Sequence, residues 1–412
     1  MKRFDTLAAV AALIFSCAGC EKTVVDDNPD NTYRPIELTT KSTEFLKKGK
    51  TFTFNYIDMV NGATKKDYVV SPLSMQFLLG MILDGARGNT AAEICKVLGY
   101  GAGEVEAVNE YALSMLQQLP GLDKKTTLNI ASAIFVDDGW PLLNTYKSDV
   151  KKYYDAEISN LNFSDGAAAL NAINGWCSKH TNGLIPKILN EVNPNMLAYL
   201  LNAIYFKSQW KDKFNKEMTT DETFLYEDGS KGQVKMMKQE LKALYTETDV
   251  FEAARLPYGN GAFSMVVLLP TKGHGVSDIT ASLCKCDWDE LFSSMLKCEV
   301  DLWLPRFETK YSIELNDILA EMGMPSAFDS LRADLKGMSK YALRLSFVKQ
   351  DAVIKVDEEG TEAAAVSSAG VEKATSVGPG RHVVFHADRP FLYIITESST
   401  GAVLFAGRYG SR

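Results

Sequence analysis

The chain has 412 residues, 46% of them hydrophobic and 23% charged, the make-up of an ordinary globular protein with side chains enough for a sizeable core. Its formal net charge is -8 and no basic stripe with interleaved aromatics occurs, which argues against nucleic acid as a partner. Nothing in the middle of the chain reads as a linker, so one large domain is expected, with disorder confined to the ends.

At the N-terminus, Lys2 and Arg3 precede an apolar run from Leu7 to Phe15, after which small residues lead to Cys20. This is the pattern of an export signal, and the run is too short to span a bilayer. Cys17-Ala18-Gly19-Cys20 resembles the bacterial lipoprotein box, which implies loss of residues 1–19 and a diacylglycerol on the Cys20 thiol. The other reading is a plain secretory cut near Ala18. The protein is thus expected to be exported and held by lipid at a membrane, facing the periplasm or the cell surface. Residues 20–36 are polar, with Asp26, Asp27, Asn28, Pro29, Asp30 and Asn31 in one run, and read as a flexible tether before a folded domain, 37–412. The remaining five cysteines, Cys95, Cys177, Cys284, Cys286 and Cys298, are an odd set that describes no disulfide framework, so mostly buried free thiols are expected. Cys284-x-Cys286 has no second Cys or His pair at zinc-ligand spacing, and neither metal nor cofactor is expected.

From Ser42 to Asn61 aromatic and aliphatic residues recur at helical spacing, and Asn61-Gly62 is a common helix end. A second helix is predicted from Ser71-Pro72 to Gly85, where Pro72 suits a first turn because its missing N–H costs nothing there. Leu197 to Phe206, Phe263 to Leu269, Phe391 to Thr396 and Ala402 to Ala406 are nearly continuous apolar runs, the pattern of strands buried on both faces. Val300, Leu302 and Leu304 alternate with Asp301 and Trp303, as in a half-buried strand. Helices early and strands late point to an α+β fold with a large sheet.

The stretch 358–381 fits none of these templates. Glu358-Glu359-Gly360-Thr361-Glu362-Ala363-Ala364-Ala365 opens a segment of small residues, uncharged in its middle and free of proline until Pro379. It lacks the bulky side chains that would hold it to a core, while strand patterns flank it on both sides, so a long exposed loop is expected. In an extended conformation Thr361, Ala363, Ala365, Ser367 and Ala369 would form one small, uncharged face that a sheet could bury without penalty. The same segment can therefore be a loop or a central strand.

This run resembles the reactive-loop hinge of inhibitory serpins, and the resemblance extends over about residues 42 to 409. Val70-Ser71-Pro72-Leu73-Ser74, Leu83-Asp84-Gly85-Ala86-Arg87-Gly88-Asn89-Thr90 and Leu201-Asn202-Ala203-Ile204-Tyr205-Phe206-Lys207 with Trp210 and Phe214 are similar to family motifs. So are Leu256-Pro257-Tyr258, Leu304-Pro305-Arg306-Phe307, Pro390-Phe391 and Phe405-Ala406-Gly407. The resemblance implies the serpin fold, three β-sheets with about nine helices and an exposed reactive-centre loop. It further implies a metastable monomer in which Ser71, Ser74, Asn202 and Gln350 form a hydrogen-bonded cluster where the main sheet opens. Gln350 stands where many members have histidine, and its amide is expected to bond Asn202.

The function so implied is inhibition of serine proteases, and of cysteine proteases as well, by a suicide-substrate route: the loop is cleaved, inserts as a strand, and traps the protease as an acyl-enzyme. Carrying the family's hinge-to-bond spacing from Glu358 places the cleaved bond at Ala374-Thr375, which suits elastase-like or subtilisin-like enzymes. Lys373-Ala374 is the alternative, suited to a trypsin-like enzyme, and Val371 or Val377 offer elastase-like choices. A non-inhibitory serpin acting as a binding or scaffold protein would share the whole fold. A hydrolase is the other rival class, but the chain has no Gly-x-Ser-x-Gly elbow, His-Glu-x-x-His or phosphate loop, and no catalytic residue is assigned.

Overall fold

The computed structural model describes residues 31–101, 103–361 and 381–411. Cys20, the hinge residues Glu362, Ala363, Ala364 and Ala365, and the cleavage candidates Lys373, Ala374 and Thr375 lie outside the described residues.

Helices crowd the first half, as their order in the sequence suggests: α1 (Thr40–Ala63), α2 (Pro72–Gly85), α3 (Gly88–Leu98), α4 (Val105–Gln118), α5 (Asn144–Tyr154) and α6 (Gly166–His180). Three shorter ones follow, α7 (Val276–Leu283), α8 (Trp288–Ser294) and α9 (Asn316–Met322). Both predicted early helices are present. α1 starts at the side chain of Thr39, which accepts from the Ser42 amide, and α2 at Ser71, which accepts from the Ser74 amide with Pro72 in the first turn. No helix among the described residues is long and apolar enough to cross a membrane.

The strands are β1 (Tyr68–Val70), β2 (Thr127–Asp137), β3 (Glu157–Leu161), β4 (Ala198–Gln209), β5 (Thr220–Leu225), β6 (Lys231–Glu247), β7 (Phe251–Pro257) and β8 (Phe263–Pro270). They continue with β9 (Leu296–Pro305), β10 (Phe307–Glu314), β11 (Lys349–Asp357), β12 (Gly360–Thr361), β13 (His382–His386), β14 (Phe391–Glu397) and β15 (Val403–Tyr409). They form a six-stranded sheet in the order β10-β11-β12-β4-β2-β3 and a nine-stranded one in the order β1-β15-β14-β8-β7-β6-β9-β13, with β5 also on β6. Where three sheets are implied by the family resemblance, two of them are hydrogen-bonded into one. The reason is β6, whose 17 residues pair with β5 and β9 along one part and with β7 at the other end.

β4 is buried on both faces, which explains its nearly unbroken apolar run. Its even-numbered residues Ile204 and Phe206 face the main core shared with α2, and Tyr199, Leu201 and Ala203 face a second, smaller core capped by Ile173, Trp176 and Cys177 of α6. Cys95, Cys177 and Cys298 are buried free thiols, and Cys284 and Cys286 are half-buried ones. The end of the polar N-terminal stretch is fastened to the body: Asn31 and Ile36 are buried and the Tyr33 hydroxyl donates to Glu397 Oε1 at 3.0 Å.

Candidate functional site: the hinge and the seam it enters

The described part of the hinge runs from β11 through a tight turn into β12. The Asp357 carboxylate accepts from the Glu359 amide at 2.9 Å and the Asp357 carbonyl from the Trp210 indole at 2.8 Å, so the turn is held from within and from β4's end. The two glutamates then point to separate cations. Glu358, its side chain 2% exposed, receives Arg306 Nη2 at 2.5 Å and the Thr219 hydroxyl at 2.7 Å. Burial alone would push its carboxyl up, but these donors outweigh burial and hold it below the ordinary carboxylate value. Glu359 is clasped by Lys213 at 2.9 Å and Lys216 at 3.0 Å, and the hydrogen bond from Lys213 leads in drawing its carboxyl down against burial. Carbonyl oxygens of both residues are used too, Glu358 by the Phe214 amide and Glu359 by the Trp210 amide.

Gly360 and Thr361 lie in the sheet itself, between β11 and β4. Gly360 stands opposite Asp357 and Gln209, and Thr361 opposite Val356 and Ser208. Only glycine fits at 360: φ is +154°, and a Cβ there would sit 2.0 Å from the Ser208 carbonyl oxygen. Thr361 is 1% exposed, and its hydroxyl meets the Tyr258 hydroxyl at 2.6 Å. Tyr258 is itself stacked on Trp210, ring centroids 4.4 Å apart. Among the described residues no ladder joins β4 to β11 directly; β12 is the element between them.

Lower along this seam lies the polar cluster. Gln350 of β11 accepts from the Ser71 amide at 2.8 Å and from the Tyr56 hydroxyl at 3.1 Å, and donates to the Ser71 carbonyl at 3.0 Å. Asn202 of β4 accepts from the Ser74 hydroxyl and donates to Ser132 at 2.9 Å. Ser71 and Ser74 are joined at the start of α2. All four residues come together, but Gln350 and Asn202 are linked through Ser71 and Ser74 rather than to each other, because the Gln350 amide is already engaged by the α2 cap. At the foot of the seam is a cavity of about 280 Å³, lined among others by Ala198 and Leu200 of β4 and by Ser346, Phe347 and Val348 just before β11.

Lys213, Lys216, Thr219 and Asn31 carry no signal that assigns them here. Arg306, Trp210 and Tyr258 stand in motifs read from the sequence, yet their meeting with 357–361 required the fold.

A profile of the family described as "Serpin (serine protease inhibitor)" matches residues 47–411, and the chain belongs to the serpin family. It is 34% identical over 375 residues to leukocyte elastase inhibitor of Xenopus tropicalis, covering 87% of this chain and 97% of that protein. Among solved structures, the thermophilic serpin tengpin in the native state matches with a TM-score of 0.81 at 28% identity, over 92% of this chain and 97% of the other. Human thyroxine-binding globulin matches with a TM-score of 0.81 at 26% identity, over 90% of this chain and 100% of the other. At the family level these are protease inhibitors, with binding proteins among them, and not catalysts.

Proposed function

We propose that this protein inhibits serine proteases, and cysteine proteases by the same chemistry, as a suicide substrate. The protease hydroxyl or thiol attacks the Ala374 carbonyl carbon. The bond to Thr375 then breaks, its nitrogen leaves protonated as the amine, and an ester or thioester to Ala374 remains. The loop, now free at one end, enters the seam as a strand and carries the acylated protease with it. The chain contributes the scissile amide and a strand, and the protease supplies every catalytic group.

One observation carries this reading: the hinge already sits in register between β11 and β4 at Gly360 and Thr361. In the inserted form that register, continued, sets Ala363 between Phe206 and Ile354, Ala365 between Ile204 and Ala352, and Ser367 between Asn202 and Gln350. Ala369 then falls between Leu200 and Val348, and Val371 between Ala198 and Ser346, pairs that line the cavity at the foot of the seam. Small side chains thus meet the buried inner face, the serine hydroxyl meets the polar cluster, and the one larger residue meets the space.

The test is to mix the protein with elastase-like, subtilisin-like and trypsin-like enzymes and a cysteine protease. An SDS-resistant complex is expected, with a released peptide that begins at Thr375. A peptide beginning at Ala374 moves the bond to Lys373. Cleavage by every enzyme without any covalent complex overturns inhibition in favour of a binding or scaffold serpin.

A lipid on Cys20 is part of the same proposal, supported by the apolar run ending in Ala18-Gly19-Cys20. It would keep the inhibitor beside its own membrane.

A further inference from the structure

We propose that residues 31–38 form a strap that governs how readily the sheet opens at the hinge, acting through one buried carboxylate, Asp123. The consequence for inhibition rests on the function proposed above; the mechanical coupling does not.

Asp123 lies in the turn between α4 and β2 and is 2% exposed. Four donors satisfy its carboxylate. Oδ1 accepts from Asn31 Nδ2 and the Lys125 amide, both at 2.9 Å, and Oδ2 from the Thr126 hydroxyl at 3.0 Å and the Asn260 amide at 3.2 Å. Asn31 supplies more than that one bond. Its side-chain oxygen accepts from the Lys124 amide at 2.8 Å, and its carbonyl from Asn260 Nδ2 at 3.1 Å. The start of the strap is thereby sewn to two turns at once, and its remainder is fastened by Tyr33 on Glu397, by the Ile36 amide on Ser399 and by a two-way exchange between Glu37 and Gln118.

From Asp123 two routes lead to Thr361. In the first, the Thr126 hydroxyl spends its proton on Asp123, so the Ser208 hydroxyl donates to Thr126 across 2.6 Å, and Ser208 stands opposite Thr361 in β4. In the second, Asn260 belongs to the turn from Tyr258 to Gly261, and Tyr258 meets the Thr361 hydroxyl. That turn is pressed onto the carboxylate: Gly259 has φ +42°, and a Cβ on it would lie 1.8 Å from Asp123 Oδ2. Opening the seam requires the top of β4 to move away from β11, which displaces Ser208 and, through Thr126, pulls on Asp123. With Asn31 in place the turn holding Asp123 is tied down from the far side, so the strap resists the movement. Loss of a donor to a buried carboxylate loosens both routes together.

Hydrogen–deuterium exchange on the full chain tests this. Asn31→Ala should speed exchange in 204–210 and 353–361 by about tenfold, while α6 and β9 stay at wild-type rates. Gly259→Ala, which forces the second turn off Asp123, should act in the same direction. Tyr33→Phe, which removes the bond to Glu397 and none at Asp123, should leave the hinge peptides unchanged. If Asn31→Ala and Gly259→Ala accelerate exchange only in 118–128 and 257–262, the strap is not coupled to the hinge and the proposal falls. The two readings separate cleanly: accelerated hinge exchange in a protein that traps no protease upholds the strap and sinks inhibition. Unchanged hinge exchange in a protein that does trap protease sinks the strap alone.

Discussion

On the mechanism proposed above, Thr361 is where a single side chain would decide between trap and substrate. It is buried, uncharged, and bonded to Tyr258, at the point where a cleaved loop would begin to enter the sheet. Thr361→Arg would bury a guanidinium among Tyr258, Ser208 and Val356 with no carboxylate in that register, at a cost of several kcal/mol. Insertion should then lose its race against hydrolysis of the acyl-enzyme. The expected result is cleaved variant and active protease, with the number of inhibitor molecules consumed per trapped protease up by roughly tenfold or more; unchanged stoichiometry would remove the hinge from the mechanism. Glu358 makes a second residue-scale prediction. Its carboxyl is held below the ordinary value, so its contribution to stability is fully present above the unfolded carboxylate value of about 4.3 and is lost as pH falls through the lower folded value. Wild type should therefore melt a few degrees above Glu358→Gln at pH 7, with the gap closing below about pH 4. A gap that persists undiminished into that acid range would mean the ion pair with Arg306 is not its source.

At the scale of elements, the seam between β4 and β11 is the unusual feature. Two long neighbours, 12 and 9 residues, are bridged among the described residues only by the two residues of β12. A strand completed between them gains ladder bonds on both edges, each worth roughly 0.5–1.5 kcal/mol net, so the sum is on the order of 10 kcal/mol. Loop cleavage should consequently raise the melting temperature by roughly 10 °C or more. Calorimetry before and after limited proteolysis measures it, and Thr361→Arg should gain less. A cleaved wild type that melts with the intact protein would show that nothing enters the seam. Val371→Ala should also reduce the gain, since that side chain is the larger of the two that the register brings to the cavity at the foot.

On the scale of the whole molecule, β4 separates the main core from the smaller core under α6, so a strand added beside it must suit two apolar layers at once. Glycine at 360 and small residues beyond it satisfy that demand on the inner face. The free thiols add no covalent brace against sheet movement among the described residues. Anchoring belongs to this scale as well. If Cys20 carries lipid, Cys20→Ala should move the protein from the membrane fraction to the soluble one, and an unchanged distribution would show that some other device holds it.

Much of this was legible in the residues. Capping at Ser71-Pro72, the unbroken apolar run of β4 and the change from helical to strand spacing report local geometry and burial, which side-chain chemistry sets directly. The alternating small face after Gly360 is likewise a property of spacing alone. What the chain order could not disclose is which distant groups meet. Lys213 and Lys216 stand in no motif of the sequence, and only the turn beside Trp210 brings them to Glu359, while Gln350 bonds the α2 cap instead of Asn202 because its amide is engaged there by the Ser71 backbone. Asn31, in a polar run that reads as tether, became the partner of Asp123 only through a contact spanning 92 residues. Sequence determines what each residue can bury or bond; partners so far apart are chosen by the packing of whole elements, and only the tertiary structure decides them.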